Sequence, residues 1–275
     1  MSLSFDGPVL LAGAGKMGAA LLAGWLERGL DAKNVIVHEP DLKGEAADLV
    51  ARYGIKVLSP AQSLGSLPSV IVVAVKPQVM DQVFPGLAKL AGPATVVLSI
   101  AAGRSIASFE KHLDANTAVV RAMPNTPAAI GRGITGAVGN SSLNAAQKKS
   151  CNDLLAAVGD VVWLGDEHLI DAVTAVSGSG PAYVFLLAEC LALAGRDAGL
   201  DGDTAMKLAR ATVSGAGELL RQSKDDPAIL RQNVTSPGGT TAAALAVLMR
   251  DEDGMQILLR EAVLAALKRS KELGS

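Results

Sequence analysis

Gly13-Ala14-Gly15-Lys16-Met17-Gly18 stands directly after the apolar run Val9-Leu10-Leu11-Ala12 and directly before Ala19-Ala20-Leu21-Leu22 and Trp25-Leu26 at helical spacing. A glycine-rich turn between a buried strand and a helix is the fingerprint of a dinucleotide-binding unit. The first glycine permits the tight turn, the second lets backbone approach a pyrophosphate, and the third allows the helix to pack closely on its strand. The helix start adds unpaired N–H groups and the positive end of a dipole.

The rest of the first half fits that frame. Val35-Ile36-Val37 is bounded by Asn34 and Pro40-Asp41, and a helix over about Leu42 to Tyr53 leads to Gly54 and a short strand, Ile55 to Leu58. Val70-Ile71-Val72-Val73-Ala74-Val75 is apolar without alternation, as a strand buried on both faces of a parallel sheet must be. Thr95 to Ile100 and Val119-Val120 follow, with a weaker pair near Ala137 and Val161. Strands alternating with helices imply βαβ units and a right-handed, doubly wound sheet. After Gly165 the pattern is helical only, broken at Ser177 to Pro181, Gly199 to Asp203, Lys224 to Pro227 and Ser236 to Gly239. The expected organisation is therefore a Rossmann-type α/β domain over 1–165 and an all-helical domain over 166–275. In the second, Ala209, Ala211, Gly215, Ala216 and Gly217 leave one helix face nearly bare, which suits close approach of another helix.

Composition narrows the function classes. Charged residues are 19% of the chain and the net charge is −2, so there is no basic footprint for nucleic acid. The chain is 49% hydrophobic but 3% aromatic, so its core is aliphatic, and the apolar excess suits an oligomer. The start of the chain lacks a basic segment, carries Asp6 and is interrupted at Lys16, unlike a secretory signal. Ala182 to Ala194 holds Glu189 and is too short to cross a bilayer, so no membrane association is expected. Cys151 and Cys190 sit in no metal or redox spacing, which points to reduced thiols, no metal and a cytoplasmic address.

Glu39 follows the second strand about 20 residues beyond Gly18, where an acidic side chain hydrogen-bonds a ribose 2′-hydroxyl. A carboxylate there repels a 2′-phosphate, so this position points to NADH over NADPH.

Beyond the fingerprint, Ala74-Val75-Lys76-Pro77, Ser99-Ile100-Ala101-Ala102-Gly103 and Arg121-Ala122-Met123-Pro124-Asn125-Thr126-Pro127 stand after successive strands. The helical half carries Asp171-Ala172-Val173-Thr174, Ser177-Gly178-Ser179-Gly180-Pro181-Ala182-Tyr183 and Val234-Thr235-Ser236-Pro237-Gly238-Gly239-Thr240-Thr241. In these segments, their order, and their spread from about residue 9 to about 268, the chain resembles the pyrroline-5-carboxylate reductases. One departure is Met249, where that family's pattern carries a polar or acidic residue, and a packing change is expected there.

The resemblance implies a reduced nicotinamide cofactor, NADPH or NADH, and a small cyclic imino acid as substrate. It places the pyrophosphate on Ala12, Gly13, Ala14, Gly15, Lys16 and Met17. Ribose and nicotinamide fall to Ala74, Val75, Lys76, Pro77, Ile100, Ala101 and Ala102, with further cofactor contacts at Gln62 and Asn233. Substrate contacts fall to Glu167, Ser236, Gly238, Gly239, Thr240 and Thr241. The resemblance also implies an intertwined homodimer built from the helical half, and such dimers often assemble into rings.

These residue types suit an imine reduction. A substrate carboxylate needs backbone donors, and Gly238-Gly239 ahead of a helix start supply them without Cβ obstruction. Hydride addition to the imine carbon places charge on nitrogen, which Thr241 can relieve by delivering a proton, with Ser177 a second candidate. Capping also explains Thr240 and Thr241, and the two roles are compatible. Lys76 precedes Pro77, so its backbone is expected to be extended and its role structural or cofactor-supporting. His38, His112 and His168 lie in no nucleophile or metal spacing. A hydroxyacid dehydrogenase of related architecture would usually set a Lys or His in the helical half facing the nicotinamide, and Ala182 to Leu193 holds neither. A nucleotide-binding sensor without turnover would have no need of the Ser236 to Thr241 loop.

Overall fold

The computed structural model describes residues 3–58 and 64–274. The chain divides into two compact units, Met1–Gly178 with Leu267–Ser275, and Ser179–Ala266.

Among the described residues, unit 1 contains an eight-stranded sheet in the order β3-β2-β1-β4-β5-β6-β7-β8. The strands are β1 (Val9–Ala12), β2 (Val35–His38), β3 (Lys56–Val57), β4 (Val70–Val73), β5 (Val96–Ser99), β6 (Ala118–Met123), β7 (Gly133–Gly139) and β8 (Gly159–Trp163). The first six are parallel, as their apolar runs require, and β1, β4 and β5 are buried at every position. Between β6 and β7 the direction reverses, and β8 runs parallel to β7. The two faces are covered by α1 (Lys16–Glu27), α2 (Gly44–Tyr53), α3 (Met80–Ala88), α4 (Ile106–Glu110), α5 (Ala145–Ala156) and α6 (Leu169–Val173). Trp25 is fully buried with its indole N–H donated to the Leu154 carbonyl at 2.9 Å, which ties α1 to α5. Fully buried Leu21, Leu22 and Leu154 join the same core, and each such side chain contributes ~1.5–3 kcal/mol.

The expected break at Ser177 to Pro181 shrinks to a bend at Ser179, after which the next helix opens with Pro181 in its first turn. The chain stays helical through a π segment, Thr174–Gly178, in which Thr174 and Ser177 hydroxyls donate to the Ile170 and Val173 carbonyls. Hydroxyls that satisfy backbone acceptors four residues back allow the helix to widen and not end. The helical series begins before the unit changes, because α6 packs on the sheet of unit 1 and buries Ile170 there. The contact boundary therefore falls at Gly178.

Unit 2 comprises α7 (Gly180–Asp197), α8 (Gly202–Gln222), α9 (Pro227–Asn233), α10 (Thr240–Leu248) and most of α11 (Met255–Gly274). Small residues let α7 and α8 meet closely: Ala192, Ala205 and Ala209 are buried, and a Cβ on Gly195 would lie 3.3 Å from that of Ala205. The face of α8 stays open at Gly215 and Gly217. Phe185, Leu186, Leu193, Leu208, Leu258 and Leu264 are more than half exposed. A unit with so much apolar surface and so few buried side chains needs a partner.

Candidate active site

The carboxyl ends of the parallel strands bring the cofactor candidates together. Ala12 pairs in register with His38 on one side and Val73 on the other, Val73 with Ser99, and Ser99 with Arg121. Each candidate segment follows one of these residues: Gly13 to Met17 after β1, Glu39 after β2, Ala74 to Pro77 after β4, and Ile100 to Ala102 after β5. The sheet order reverses at β1 and β4, so these segments surround the switch point, where open α/β sheets bind ligands.

The three glycines of the loop differ in what holds them. Gly13 has φ +92°, and a Cβ there would lie 2.6 Å from the Ala74 backbone carbon and oxygen. Gly18 has no room for a Cβ because of the Gly13 carbonyl. At Gly15 a Cβ would meet nothing within 4 Å, and its φ of −67° suits any residue. The protein itself gives no reason for glycine at 15, but a pyrophosphate laid on the loop does. The neighbouring N–H groups open α1, which carries no side-chain cap. The residues present therefore fit a dinucleotide.

A cleft of 390 Å³ runs beside this loop, lined by Ala14, Gly15, Lys16, Glu39, Lys43 and Lys76 among others. Glu39 accepts the Ala14 N–H on Oε2 at 2.9 Å and the Asp41 N–H on Oε1 at 3.2 Å. Lys43 pairs with Asp41 at 2.7 Å, which holds its ammonium pKa above the usual value. Lys76 is extended, φ −62° and ψ 141°, as the residue before a proline must be, and its carbonyl accepts the Val79 N–H.

The loop after β5 is fixed at several points. Ile100 N–H donates to Val73 O, Ala101 N–H to Ser99 Oγ, and Arg104 to Pro77 O at 3.1 Å and Asp81 at 2.7 Å. Arg104 lowers the Asp81 carboxyl pKa below the ordinary range through its hydrogen bond. At its far end, Ile106 N–H donates to Glu167 Oε1 at 2.8 Å, and the same oxygen accepts Arg121 Nη1 at 2.9 Å. Glu167, a candidate substrate residue, thus has one oxygen committed to unit 1. The sequence assigns a role to Glu167 but none to Arg121, its partner. The available signal was that an arginine within an apolar strand pattern must be paired when buried.

The remaining candidates lie in unit 2, except Ser177 at the end of unit 1 and Gln62, which lies outside the described residues. Asn233 ends α9 and is exposed. Gly238 has φ +69°, and a side chain at Gly239 would run into Ser236 Oγ. Gly239 caps α10 without a side-chain hydrogen bond, so the N–H groups of Thr240, Thr241 and Ala242 open the helix as an uncapped set of donors. Thr241 is partly buried and Thr240 exposed. Met249 caps the C-terminal end of α10, with the Arg231 guanidinium against its sulfur. Ser177 spends its hydroxyl on the Val173 carbonyl. No group of three or more His, Cys, Asp or Glu placed to hold a metal occurs among the described residues.

A switch-point glycine loop on a mostly parallel sheet, followed by a helical unit with an unpartnered apolar surface, defines a nicotinamide-dependent oxidoreductase with a dimerisation module. Residues 9–103 match the family described as NADP oxidoreductase, coenzyme F420-dependent, and residues 167–273 match pyrroline-5-carboxylate reductase dimerisation. A pyrroline-5-carboxylate reductase of Pseudomonas aeruginosa is 41% identical over 95% of this chain and 94% of its own length. The solved structure of the Coxiella burnetii pyrroline-5-carboxylate reductase superposes with a TM-score of 0.90 at 33% identity, over 98% of this chain and all of the other. The Plasmodium falciparum pyrroline carboxylate reductase, solved with NADP bound, superposes with a TM-score of 0.80 at 30% identity, over 98% of this chain and 99% of its own. The chain belongs to the pyrroline-5-carboxylate reductase family.

Proposed function

We propose that this chain reduces the C=N bond of 1-pyrroline-5-carboxylate to give L-proline, the last step of proline biosynthesis, with NADPH or NADH as the hydride source. The observation that carries this reading is the presence in one chain of the Gly15 cradle at the switch point and the 167–273 module of that family.

The reduced nicotinamide supplies the hydride, and the protein's residues bind, orient and protonate. Ala12 to Met17 hold the pyrophosphate through backbone N–H groups. Ala74 to Pro77 and Ile100 to Ala102 flank the ribose and nicotinamide, and Gln62 and Asn233 add cofactor contacts. Glu39 takes the adenosine ribose and disfavours a 2′-phosphate, which gives an NADH preference. The Ser236 to Gly239 loop and the first turn of α10 hold the substrate carboxylate. Thr240 orients the ring and Thr241 delivers a proton toward the imine nitrogen. Glu167 contacts substrate through Oε2, the oxygen not bonded to Arg121 and Ile106. Holding both reactants in one geometry supplies most of the acceleration.

The helical module, residues 166–275, serves as the dimerisation and substrate-binding domain. Leu169–Asp197 is long and apolar enough to cross a membrane by length and composition alone. Its exposed side chains are read as the surface for a second copy, because the matched module is one of dimerisation. Rings of such dimers and a cytoplasmic address complete the proposal, the latter supported by the free thiols Cys151 and Cys190.

The test is to mix the purified chain with pyrroline-5-carboxylate and follow the absorbance of the reduced nicotinamide, with NADH and NADPH in parallel. Rapid oxidation of either supports the activity. Cofactor binding without oxidation would move the reading to a different imine or to a sensor.

A further inference from the structure

The last turns of α11 pack with unit 1, although the rest of the helix packs with unit 2. Two contacts hold them there. Ser270 Oγ donates to Asp171 Oδ1 at 2.7 Å. The Leu273 carbonyl lies against Gly103, where a Cβ would sit 3.0 Å from its oxygen. Gly103 has φ +71°, so glycine is needed there for conformation as well as for space.

Both contacts lead to the same loop. Asp171 faces Arg121 Nη2 at 4.0 Å, and Arg121 holds Glu167, which accepts the Ile106 N–H at the end of the loop. Arg121 is 7% exposed, so its charge depends on the two carboxylates one helical turn apart on α6 and just before it. Gly103 is in the loop itself, one residue beyond Ala102. Residues 100–105 are thus pinned on one side by the Val73 carbonyl of β4 and the Pro77 carbonyl just beyond it, and on the other by the end of α11.

We infer that the C-terminal turns of α11 are a positioning strut for the loop after β5, setting Ile100 to Ala102 for the nicotinamide, with Ser270 and Gly103 as its two points of purchase. The cofactor half of this inference rests on the proposed function, and the strut itself does not. Ser270 is a positioning residue, acting through Asp171, Arg121 and Glu167.

The experiment uses the full chain carrying Ser270→Ala, Ser270→Thr or Gly103→Ala. Cofactor affinity is read by fluorescence titration with NADH and NADPH without imine, and loop protection by amide hydrogen exchange over residues 101–106. Ser270→Ala is expected to weaken cofactor binding about three- to tenfold, the net value of one ordinary hydrogen bond. It should speed exchange in that segment, and KM for the imine should rise by less than the cofactor dissociation constant does. Ser270→Thr should restore both readouts, and Gly103→Ala should reproduce the loss. Unchanged affinity and unchanged exchange in Ser270→Ala and Gly103→Ala would overturn the inference, as would a uniform loss of folded protein with affinity intact. A wild-type chain that binds neither cofactor would overturn the proposed function and the cofactor half, while the exchange result would still decide the strut.

Discussion

Glu39 accepts the Ala14 N–H at 2.9 Å, so the residue that would read the adenosine ribose also anchors the phosphate loop. Charge and hydrogen bonding can be separated here, because a glutamine retains an acceptor for Ala14 but no negative charge. Glu39→Gln is expected to raise the NADPH-to-NADH ratio of kcat/KM about tenfold by removing repulsion of a 2′-phosphate. Initial rates with both cofactors measure it. A ratio that does not move would leave Glu39 as a loop anchor alone.

Two loop glycines make opposite predictions. Alanine at Gly13 must accept φ +92° and a contact of 2.6 Å with the Ala74 backbone, and is expected to cost about 2–4 kcal/mol of stability. Alanine at Gly15 enters open space at φ −67° and should change stability by less than about 0.5 kcal/mol. Its methyl group would occupy the space of the pyrophosphate and should weaken cofactor binding at least about tenfold. Chemical denaturation and cofactor titration on both variants check this. A Gly15→Ala protein with normal affinity would remove the pyrophosphate from that position.

Thr241 opens α10 beside Thr240, and the hydroxyl is the only part of its side chain that can move a proton. Thr241→Val keeps the shape and is expected to lower kcat about 10²-fold, within the range typical of a lost general acid. Thr241→Ser should stay within about tenfold of wild type, and Thr240→Val should act mainly on KM for the imine. Equal kcat values for Thr241→Val and wild type would mean that the imine arrives protonated and the threonine hydroxyl is not the acid.

What was legible in the sequence follows from how local each signal is. Val70 to Val73 announced a central strand because burial on both faces removes all alternation, and the glycine loop announced the switch point because its spacing is local. β7 was faint: Gly133, Gly136 and Gly139 dilute its apolar pattern, since partners such as Val173 and Leu143 leave no room for a side chain. The antiparallel step could have been inferred, because residues 124–132 are shorter than the dozen or so a parallel crossover needs. The commitment of Glu167 to Arg121 joins residues far apart in sequence, and no periodicity carries such a pairing. The resemblance supplied a role for Glu167 but not its anchor, which exists only once α6 has packed on the sheet.

Cys151 is fully buried in α5 among Leu154, Leu155 and their neighbours, and burial pushes its thiol pKa from the ordinary 9.0 up to about 12. The consequence for stability has a definite sign. The unfolded chain loses this proton near pH 9 and the folded chain near pH 12, so between those values the unfolded state binds fewer protons and is favoured. The contribution is complete below pH 9 and is lost as pH rises toward 12, at ~1 kcal/mol per pH unit. Cys151→Ala removes the titrating group and should lack this part of the slope, whatever constant penalty its small cavity adds. Urea denaturation of both proteins at pH 8 and pH 10 tests it. The wild type should lose ~1 kcal/mol more than the variant over that interval, and parallel losses would mean that the thiol ionises at its ordinary value in the folded chain.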